Sequence, residues 1–191
     1  MSLIVTKIGL VGNSGIGKTS FMNHIIEKAS KKPKDFYNYN QPTIGVDFNI
    51  KPFVYKNINI NWNIYDTAGQ ERFSPIIRSY YRLCNIIILG FSDEESYNNL
   101  DYWLDQIKSH NDKCKIFLVR FKSDINPTRS LNINKPNGFN IYNIYNISVK
   151  KNQGINELIN IINEYIYDNQ DKMIKRENID IEKNNLKSKC C

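Results

Sequence analysis

The sequence predicts an α/β fold with a mostly parallel six-stranded sheet, one antiparallel edge strand and helices on both faces. Strand and helix patterns alternate along most of the chain, as they do in sheets that are covered on both faces. Two neighbouring strand patterns lie close enough to form a hairpin, which supplies the antiparallel strand. The chain has 191 residues, of which 41% are hydrophobic. We therefore expect one compact domain over residues 1–170 and a polar, flexible tail over residues 171–191.

Five strand or helix patterns occupy the first half of the chain. Runs or alternations of apolar and β-branched residues indicate strands, and apolar residues three or four positions apart indicate helices. The connection at Lys56-Asn57 is short enough to make two of these strands an antiparallel hairpin. In order, we predict a strand at 3–11, a helix at 19–29, strands at 46–55 and 57–66 and a helix at 75–83, with a long loop at 30–42.

The second half continues the alternation of strands and helices. Residues 85–92 are almost entirely apolar, which indicates a buried strand, and Asp93-Glu94-Glu95 supplies the acidic residues that favour a helix start. The pattern fails between Ile125 and Asn140, so any helix there is expected to be short or missing. The remaining predictions are a helix face formed by Leu100, Trp103, Leu104 and Ile107, strands at 115–121 and 141–147, and a helix at 155–166.

Charge and composition exclude some classes of protein and leave others open. The net charge of +7 and the pI of about 9.1 would suit nucleic acid or an anionic membrane as partner, but a bias toward Lys and Asn in the coding sequence is the favoured explanation. No nucleic-acid motif is present, so we expect no nucleic-acid partner. The first residues lack the pattern of a signal peptide, and residues 86–89 are too short an apolar run to span a bilayer. A cytoplasmic protein with reduced cysteines is the expectation.

Residues 12–19 match the complete phosphate-binding loop (P-loop) pattern and lie between a predicted strand and a predicted helix. Glycines let backbone N–H groups converge on phosphate oxygens, Lys18 can reach the β- and γ-phosphates, and the Thr19 hydroxyl can bind Mg²⁺. A glycine-rich turn with a chance lysine is the alternative, which the flanking elements disfavour. A nucleoside kinase also fits this loop alone. The candidate phosphate-binding residues are Gly12, Ser14, Gly15, Ile16, Gly17, Lys18, Thr19 and Ser20.

A second motif, at residues 66–73, follows the third predicted strand. Asp66 at a strand end can help to hold Mg²⁺, and Gly69 lets a backbone N–H approach the γ-phosphate. Gln70 can orient the attacking water. An ordinary polar turn is the alternative, and a nucleoside kinase does not account for this run. The two motifs together predict binding and hydrolysis of a nucleoside triphosphate.

The chain resembles a small GTPase of the Ras superfamily, most closely its Rab branch, over essentially its whole length. The resemblance rests on these two motifs and on residues 43–48, 80–82 and 93–97. The resemblance implies the P-loop NTPase fold, GTP and GDP as ligands, and Mg²⁺ held by Thr19, Thr43 and Asp66. It makes Gln70 the catalytic residue of a slow hydrolysis that a GTPase-activating protein stimulates. The implied effector and switch residues are Ile44, Gly45, Val46, Asp47, Phe48, Phe73 and Tyr80.

The chain departs from the family pattern at the guanine-recognition motif. Phe121-Lys122-Ser123-Asp124 stands where the family has Asn-Lys-x-Asp. By resemblance, Asp124 recognises guanine, Lys122 lies along the purine ring, and Ser148, Val149 and Lys150 support the base. Phe121 offers no hydrogen bond, and losing two bonds predicts guanine binding weakened by ~10–100-fold. Asn at position 121 is then expected to tighten GDP binding, and the alternative function is a Rab-like interaction scaffold with weak nucleotide binding.

Two further features concern surfaces. The 25 positions from Lys18 to Thr43 are several more than Rab proteins usually have, and an aromatic residue among Phe36, Tyr37 and Tyr39 could cover the base. A solvated insertion is the other reading. Cys190 and Cys191 resemble the doubly geranylgeranylated end of Rab proteins, with a metal-binding or redox pair as the alternative. The resemblance thus implies a monomer on the cytosolic face of an endomembrane, with effectors, exchange factors, activating proteins, and the prenylation and membrane-extraction machinery as partners.

Overall fold

The computed structural model describes residues 3–27, 43, 45–67, 75–125 and 139–173. The elements in chain order are β1 (Leu3–Val11), α1 (Lys18–Glu27), β2 (Val46–Tyr55), β3 (Ile58–Thr67), α2 (Pro75–Leu83), β4 (Ile86–Phe91), α3 (Glu94–Asn98), α4 (Leu100–His110), β5 (Lys115–Arg120), β6 (Ile141–Asn146) and α5 (Ile155–Asp168). The predicted loop at 30–42, the stretch at 126–138 and the tail beyond residue 173 lie outside the described residues.

Six strands form one sheet in the order β2-β3-β1-β4-β5-β6. The pairing of β2 with β3 is antiparallel, and the other four pairings are parallel. Lys56 and Asn57 join β2 to β3 and both have positive φ, 46° and 64°. Two such residues in a row give the twist that a two-residue hairpin needs. The predicted mixed sheet with an antiparallel edge strand is therefore confirmed.

Helices cover both faces of the sheet, which explains why the central strands are apolar on both sides. On one face, a core cluster joins α1 and α5 to the sheet through side chains such as Phe21, Met22, Leu158 and Ile162. On the other face, α2 and α4 pack on the sheet through Tyr81, Trp103 and their apolar neighbours. All six residues of β4 are buried. The buried run that the sequence indicates here is thus a central strand between two helical layers.

The helix that the sequence predicts from Asp93 onward is divided into α3 and α4. The helix begins at the predicted place, and Asp93 caps α3, since its side chain accepts a hydrogen bond from the Ser96 N–H at 2.9 Å. Asn99 then adopts φ −85° and ψ 0°, at the edge of the helical region, and the chain begins α4 at the next residue. The other predicted bounds differ by two residues or fewer. None of the helices in the described part of the chain combines the length and the apolar character that crossing a bilayer requires.

Candidate functional site

The residues that carry the sequence motifs meet at one edge of the sheet. The P-loop follows β1, Asp66 lies at the end of β3, Phe121 to Asp124 follow β5, and Ser148 follows β6. These strands are parallel, so their carboxyl ends lie side by side. This edge is where ligands bind in open α/β sheets. The fold therefore brings four segments, distant in sequence, to one site.

The P-loop folds around the Lys18 ammonium group. Lys18 is buried, and its Nζ donates to the backbone oxygens of Gly12 at 2.6 Å and Asn13 at 2.9 Å. Gly12 has φ 132°, and a Cβ there would lie 2.3 Å from the Gly90 carbonyl oxygen, so no side chain fits. Ser14 and Gly15 are exposed at the tip of the loop, Ile16 is buried, and Ser20 is half-buried in α1. The two hydrogen bonds hold the positive charge of Lys18 within the loop.

A tryptophan that the sequence places in the helix core also contacts the P-loop. The Trp103 indole N–H donates to the Asn13 side-chain oxygen at 2.8 Å, and Trp103 is buried in α4. The helical spacing identifies Trp103 as a core residue but not this bond. Because a buried indole N–H usually has a hydrogen-bond acceptor, the sequence did indicate that a buried Trp103 would have a polar neighbour, but not which one. Trp103 and Asn13 thus tie α4 to the P-loop.

Three oxygen-bearing side chains converge beside Lys18. The Thr19 hydroxyl donates to Asp66 Oδ2 at 2.5 Å and lies 2.8 Å from the Thr43 hydroxyl, which is itself 3.5 Å from Asp66 Oδ2. Asp66 is buried at the end of β3. A carboxylate and two hydroxyls are hard oxygen donors of the kind that Mg²⁺ prefers. The three predicted metal ligands are therefore close enough together to share one ion, and the chemistry of this donor set fits Mg²⁺.

The segment after β5 carries Asp124, which is half-buried, and Lys122. Lys122 is exposed, and the Ser123 N–H donates to the Ile147 carbonyl at 3.0 Å. The Ser148 hydroxyl donates to Asp124 Oδ1 at 2.6 Å. This hydrogen bond, helped by Lys151 and Lys150, holds the pKa of the Asp124 carboxyl below its ordinary value although partial burial opposes the shift. Asp124 is thus kept as a carboxylate, which can only accept hydrogen bonds.

Phe121 lies in the core, in contrast to its two motif neighbours. Its side chain is only 1% exposed, and its ring packs edge-on against Phe21 of α1 with the centroids 5.8 Å apart. The sequence identifies Phe121 as a lost hydrogen-bonding position but gives no sign of what the ring contacts. Val149, from the predicted base-supporting loop, packs partly buried against the same cluster, and Lys150 is exposed.

A row of aromatic rings runs from β2 to α2 beside this site. The ring centroids of Phe48 and Tyr65 are 5.1 Å apart, and those of Tyr65 and Tyr80 are 5.3 Å apart. Phe48 is 46% exposed and Ile50 is 52% exposed. Tyr65 was missed from the sequence, although it alternates with the buried Trp62 and Ile64 and pairs with Phe48 in the hairpin register. The candidate effector residues Phe48 and Tyr80 are therefore connected through Tyr65.

The structure places the other effector candidates only in part. Val46 is half-buried, Asp47 is exposed, and Gly45 is exposed with φ 78°. Ile44, Phe73 and the two hydrolysis candidates Gly69 and Gln70 lie outside the described residues, as do Cys190 and Cys191. The aromatic residues predicted at 36–39 lie outside them too.

Comparison with known proteins adds a family match. A model of the Ras family matches residues 7–168. GTP-binding protein YPTM1 of Zea mays is 38% identical over 128 residues, which are 65% of this chain and 59% of the maize protein. Ras-related protein SEC4 of Candida albicans is 32% identical over 173 residues, 84% of this chain and 79% of that protein. Ras-related protein Rab-3A of Homo sapiens is 35% identical over 126 residues, 64% of this chain and 54% of that protein. The chain thus matches about three fifths of the length of the maize relative and more of the fungal one.

Proposed function

Because this chain belongs to the Ras family, and within it to the Rab branch of small GTPases, we propose that it is a GTP- and GDP-dependent molecular switch that regulates vesicle-mediated membrane traffic. The convergence of the Thr19, Thr43 and Asp66 oxygens carries this proposal. Thr43 comes from outside the P-loop, at the start of the 43–48 segment. The presence or absence of the γ-phosphate and its Mg²⁺ therefore influences where this segment lies. A segment held by the γ-phosphate converts the nucleotide state into a change of surface.

The nucleotide phosphates bind to the P-loop. Backbone N–H groups between Gly12 and Thr19 donate hydrogen bonds to the phosphate oxygens, and the Lys18 ammonium neutralises part of the negative charge of the phosphates. Its bonds to Gly12 and Asn13 fix that charge at the centre of the loop before the ligand arrives, which lowers the cost of ordering on binding. The Asp124 carboxylate accepts from the N1–H and the exocyclic amine of guanine, a pair of donors that adenine does not present.

Mg²⁺ is the metal that this donor set fits, held by Thr19, Thr43 and Asp66. When bound, the ion neutralises charge on the β- and γ-phosphates. The three side chains do the positioning. Each comes from a different segment: α1, a position three residues before β2, and the end of β3. The Thr19 hydroxyl, 2.5 Å from Asp66, keeps the carboxylate aimed at the phosphate end.

Hydrolysis of GTP to GDP and phosphate rests on Gln70, which orients the attacking water, with the Gly69 N–H near the γ-phosphate. The P-loop contains no arginine that could stabilise the transition state from within the chain. Intrinsic turnover is therefore slow, and a GTPase-activating protein supplies the missing charge. An exchange factor completes the cycle by releasing GDP.

The effector surface is centred on the ring row formed by Phe48, Tyr65 and Tyr80, with Val46 and Asp47 beside Phe48 in the chain. Ile44, Gly45 and Phe73 are assigned to it by the family resemblance. The Phe48 ring is nearly half exposed, and Phe48 is the neighbour of Asp47 at the start of β2. Burial raises the pKa of the Tyr65 phenol, with Cys84 and Tyr80 adding to the effect, so this ring stays neutral. An exposed apolar patch with an acidic neighbour is a surface that a partner protein can bind.

The division of the chain follows from the same proposal. Residues 1–170 form the nucleotide-binding domain of a monomer, and residues 171–191 link it to a membrane through lipids on Cys190 and Cys191. Two lipid chains anchor durably where one gives only marginal binding, and Lys183, Lys187 and Lys189 add attraction to anionic lipid. Prenylation and membrane-extraction proteins act on this tail, and the protein works on the cytosolic face of an endomembrane.

A nucleotide titration tests the proposal. The purified protein is titrated with GDP, GTP and ATP in the presence of Mg²⁺, and phosphate release from GTP is then followed. We expect micromolar or tighter GDP and GTP binding, no ATP binding, and slow phosphate release. Lys18→Ala is expected to abolish binding. Lys56→Ala is the matched control, since Lys56 lies at the exposed hairpin turn away from the P-loop.

The outcome also separates the alternatives. A folded protein that binds no nucleotide would favour the interaction scaffold, for which the Phe121 departure is the supporting feature. Equal binding of ATP and GTP would contradict the guanine-specific role given to Asp124. Tight GTP binding without phosphate release would contradict the proposed GTP hydrolysis and would indicate a module that only binds nucleotide.

A further inference from the structure

Phe121 sits directly beneath the P-loop. Its backbone N–H donates to the Phe91 carbonyl at the end of β4, at 2.8 Å. A Cβ built on Gly17, the glycine before Lys18, would lie 3.7 Å from Phe121 Cβ and 3.8 Å from its ring atom Cδ1. A methyl group on Gly17 would therefore just touch the Phe121 side chain, so this side chain lies next to the loop that precedes Lys18, about one methyl group away from the Gly17 backbone.

The ring fits only because position 90 in β4 has no side chain. A Cβ on Gly90 would lie 2.3 Å from Phe121 Cε2 and 2.8 Å from both Phe121 Cδ2 and Ile16 Cδ1. Real Cβ atoms do not approach other atoms that closely. Gly90, Phe121 and the P-loop residue Ile16 thus share one tightly filled space, and Phe21 closes it from α1.

We propose that Phe121 is a positioning residue for the P-loop: its ring, admitted by Gly90, supports Ile16 and Gly17 from below and links the base-recognition segment to the phosphate-binding segment by apolar packing. Naming the bound ligand as a guanine nucleotide rests on the proposed function. The ring is buried, so it acts through the loop that holds Lys18. Nucleotide retention in this chain then depends on the packing of the Phe121 ring.

This packing reverses what the sequence alone predicts for Phe121→Asn. Counting hydrogen bonds predicts tighter GDP binding with Asn, but the site that the ring fills is apolar and fully closed. An amide there would leave a cavity and bury polar atoms among Phe21, Ile16 and Gly90. We therefore expect Phe121→Asn to release GDP faster than the unaltered protein.

The first test compares two identical substitutions in the same part of the sheet. Phe121→Leu removes ring atoms beneath the P-loop. Phe117→Leu also removes ring atoms from β5, at a residue that is equally buried but stacks on Tyr142 and Tyr145 and not on the P-loop. We expect both to lower the melting temperature, whereas only Phe121→Leu speeds release of a fluorescent GDP analogue, by about tenfold. Equal release rates at equal loss of stability would overturn the proposal.

The second test uses the steric conflict between positions 90 and 121. Gly90→Ala is expected to displace the ring toward the P-loop and to speed GDP release. Adding Phe121→Leu removes Cε2, the atom that a Cβ at position 90 would overlap, so the double variant should release GDP more slowly than Gly90→Ala alone. Additive effects of the two substitutions would contradict a shared space.

A readout without nucleotide separates this inference from the proposed function. Amide hydrogen exchange of residues 13–18 is measured after GDP has been removed. Phe121→Leu should raise exchange there, whereas Phe117→Leu should not. If the unaltered protein binds no GDP, the proposed function fails, and the exchange measurement still decides whether Phe121 supports the loop. Unchanged exchange in Phe121→Leu would refute the positioning role.

Discussion

Phe121 and Asp124 are three positions apart, and the fold uses their side chains in opposite ways. The Phe121 ring is buried against α1, whereas Asp124 is only half-buried and its carboxylate accepts a hydrogen bond from Ser148. The backbone between them makes this possible, since Lys122 adopts φ 52° and turns the chain out of the core. One short segment can therefore anchor in the core and present a polar group at the site.

The shifted pKa of Asp124 predicts guanine recognition that does not depend on mildly acidic pH. The ordinary pKa of an Asp carboxyl is about 3.9. Because the pKa of Asp124 is lower in the folded protein, this carboxyl is ionised at every pH above about 3.9, and it stops accepting hydrogen bonds from guanine only when the pH falls through the lowered pKa. Inosine diphosphate (IDP) lacks the exocyclic amine from which Asp124 accepts a hydrogen bond, so the ratio of GDP to IDP affinity measures this recognition. We expect the ratio of GDP to IDP affinity to stay constant from about pH 8 to about pH 5.

Using a ratio removes the titration of the phosphate groups, which the two nucleotides share. Ser148→Ala removes the largest cause of the shift, so the loss of discrimination on acidification should begin at a higher pH in this variant. A ratio that falls above pH 5 in the unaltered protein would contradict the assigned ionisation of Asp124.

Strand β3 and helix α5 are joined by a buried polar pair. The Trp62 indole N–H donates to the Asn163 side-chain oxygen at 2.8 Å, and both residues are buried. Asn163→Ala would leave a buried N–H without its acceptor, which costs about 1–3 kcal/mol. For a chain of this size we expect the melting temperature to fall by roughly 2–10 °C, measured by thermal unfolding.

Asn160→Ala is the matched control for this pair. Asn160 is exposed on the same helix, so the substitution makes the same change in helix propensity without uncovering the indole. The difference between the two variants isolates the Trp62 bond. Equal melting temperatures would show that the bond adds nothing to stability.

At the level of helices and strands, local pattern was sufficient for most elements. The hairpin at Lys56-Asn57 and the strand Val46–Tyr55 were predicted correctly because their alternation reflects one packed face. The division of the helix at Asn99 was not predicted, since a single change of backbone angles separates α3 from α4. Tyr65 was also missed, because its ring row depends on the register of β2 with β3.

The molecule as a whole gathers its site from several strand ends, so ligand binding should stabilise the entire domain. Thr19, Thr43 and Asp66 connect α1, the segment that precedes β2, and the end of β3. Mg²⁺ and GDP at about 100 times their dissociation constant should add about 2.7 kcal/mol of stability. We expect the melting temperature to rise by about 5–10 °C and to drop again when Mg²⁺ is chelated.

Thr19→Ala supplies the control for that measurement. It removes one oxygen of the set, so GDP should still bind but the effect of chelation on the melting temperature should shrink. A chelation effect of full size in Thr19→Ala would contradict the assignment of Thr19 as a metal ligand.

The sequence alone was enough to predict the α/β fold, the P-loop and the family, because glycine spacing, strand alternation and charged motif residues are local properties. It did not show the order of the strands outside the hairpin, that Trp103 bonds to Asn13, or that Phe121 and Gly90 share one space. The last two relations join residues that are 90 and 31 positions apart, and only the packed core decides them. The Phe121 departure looked like a lost hydrogen bond along the chain, and in three dimensions it is an apolar support for the P-loop.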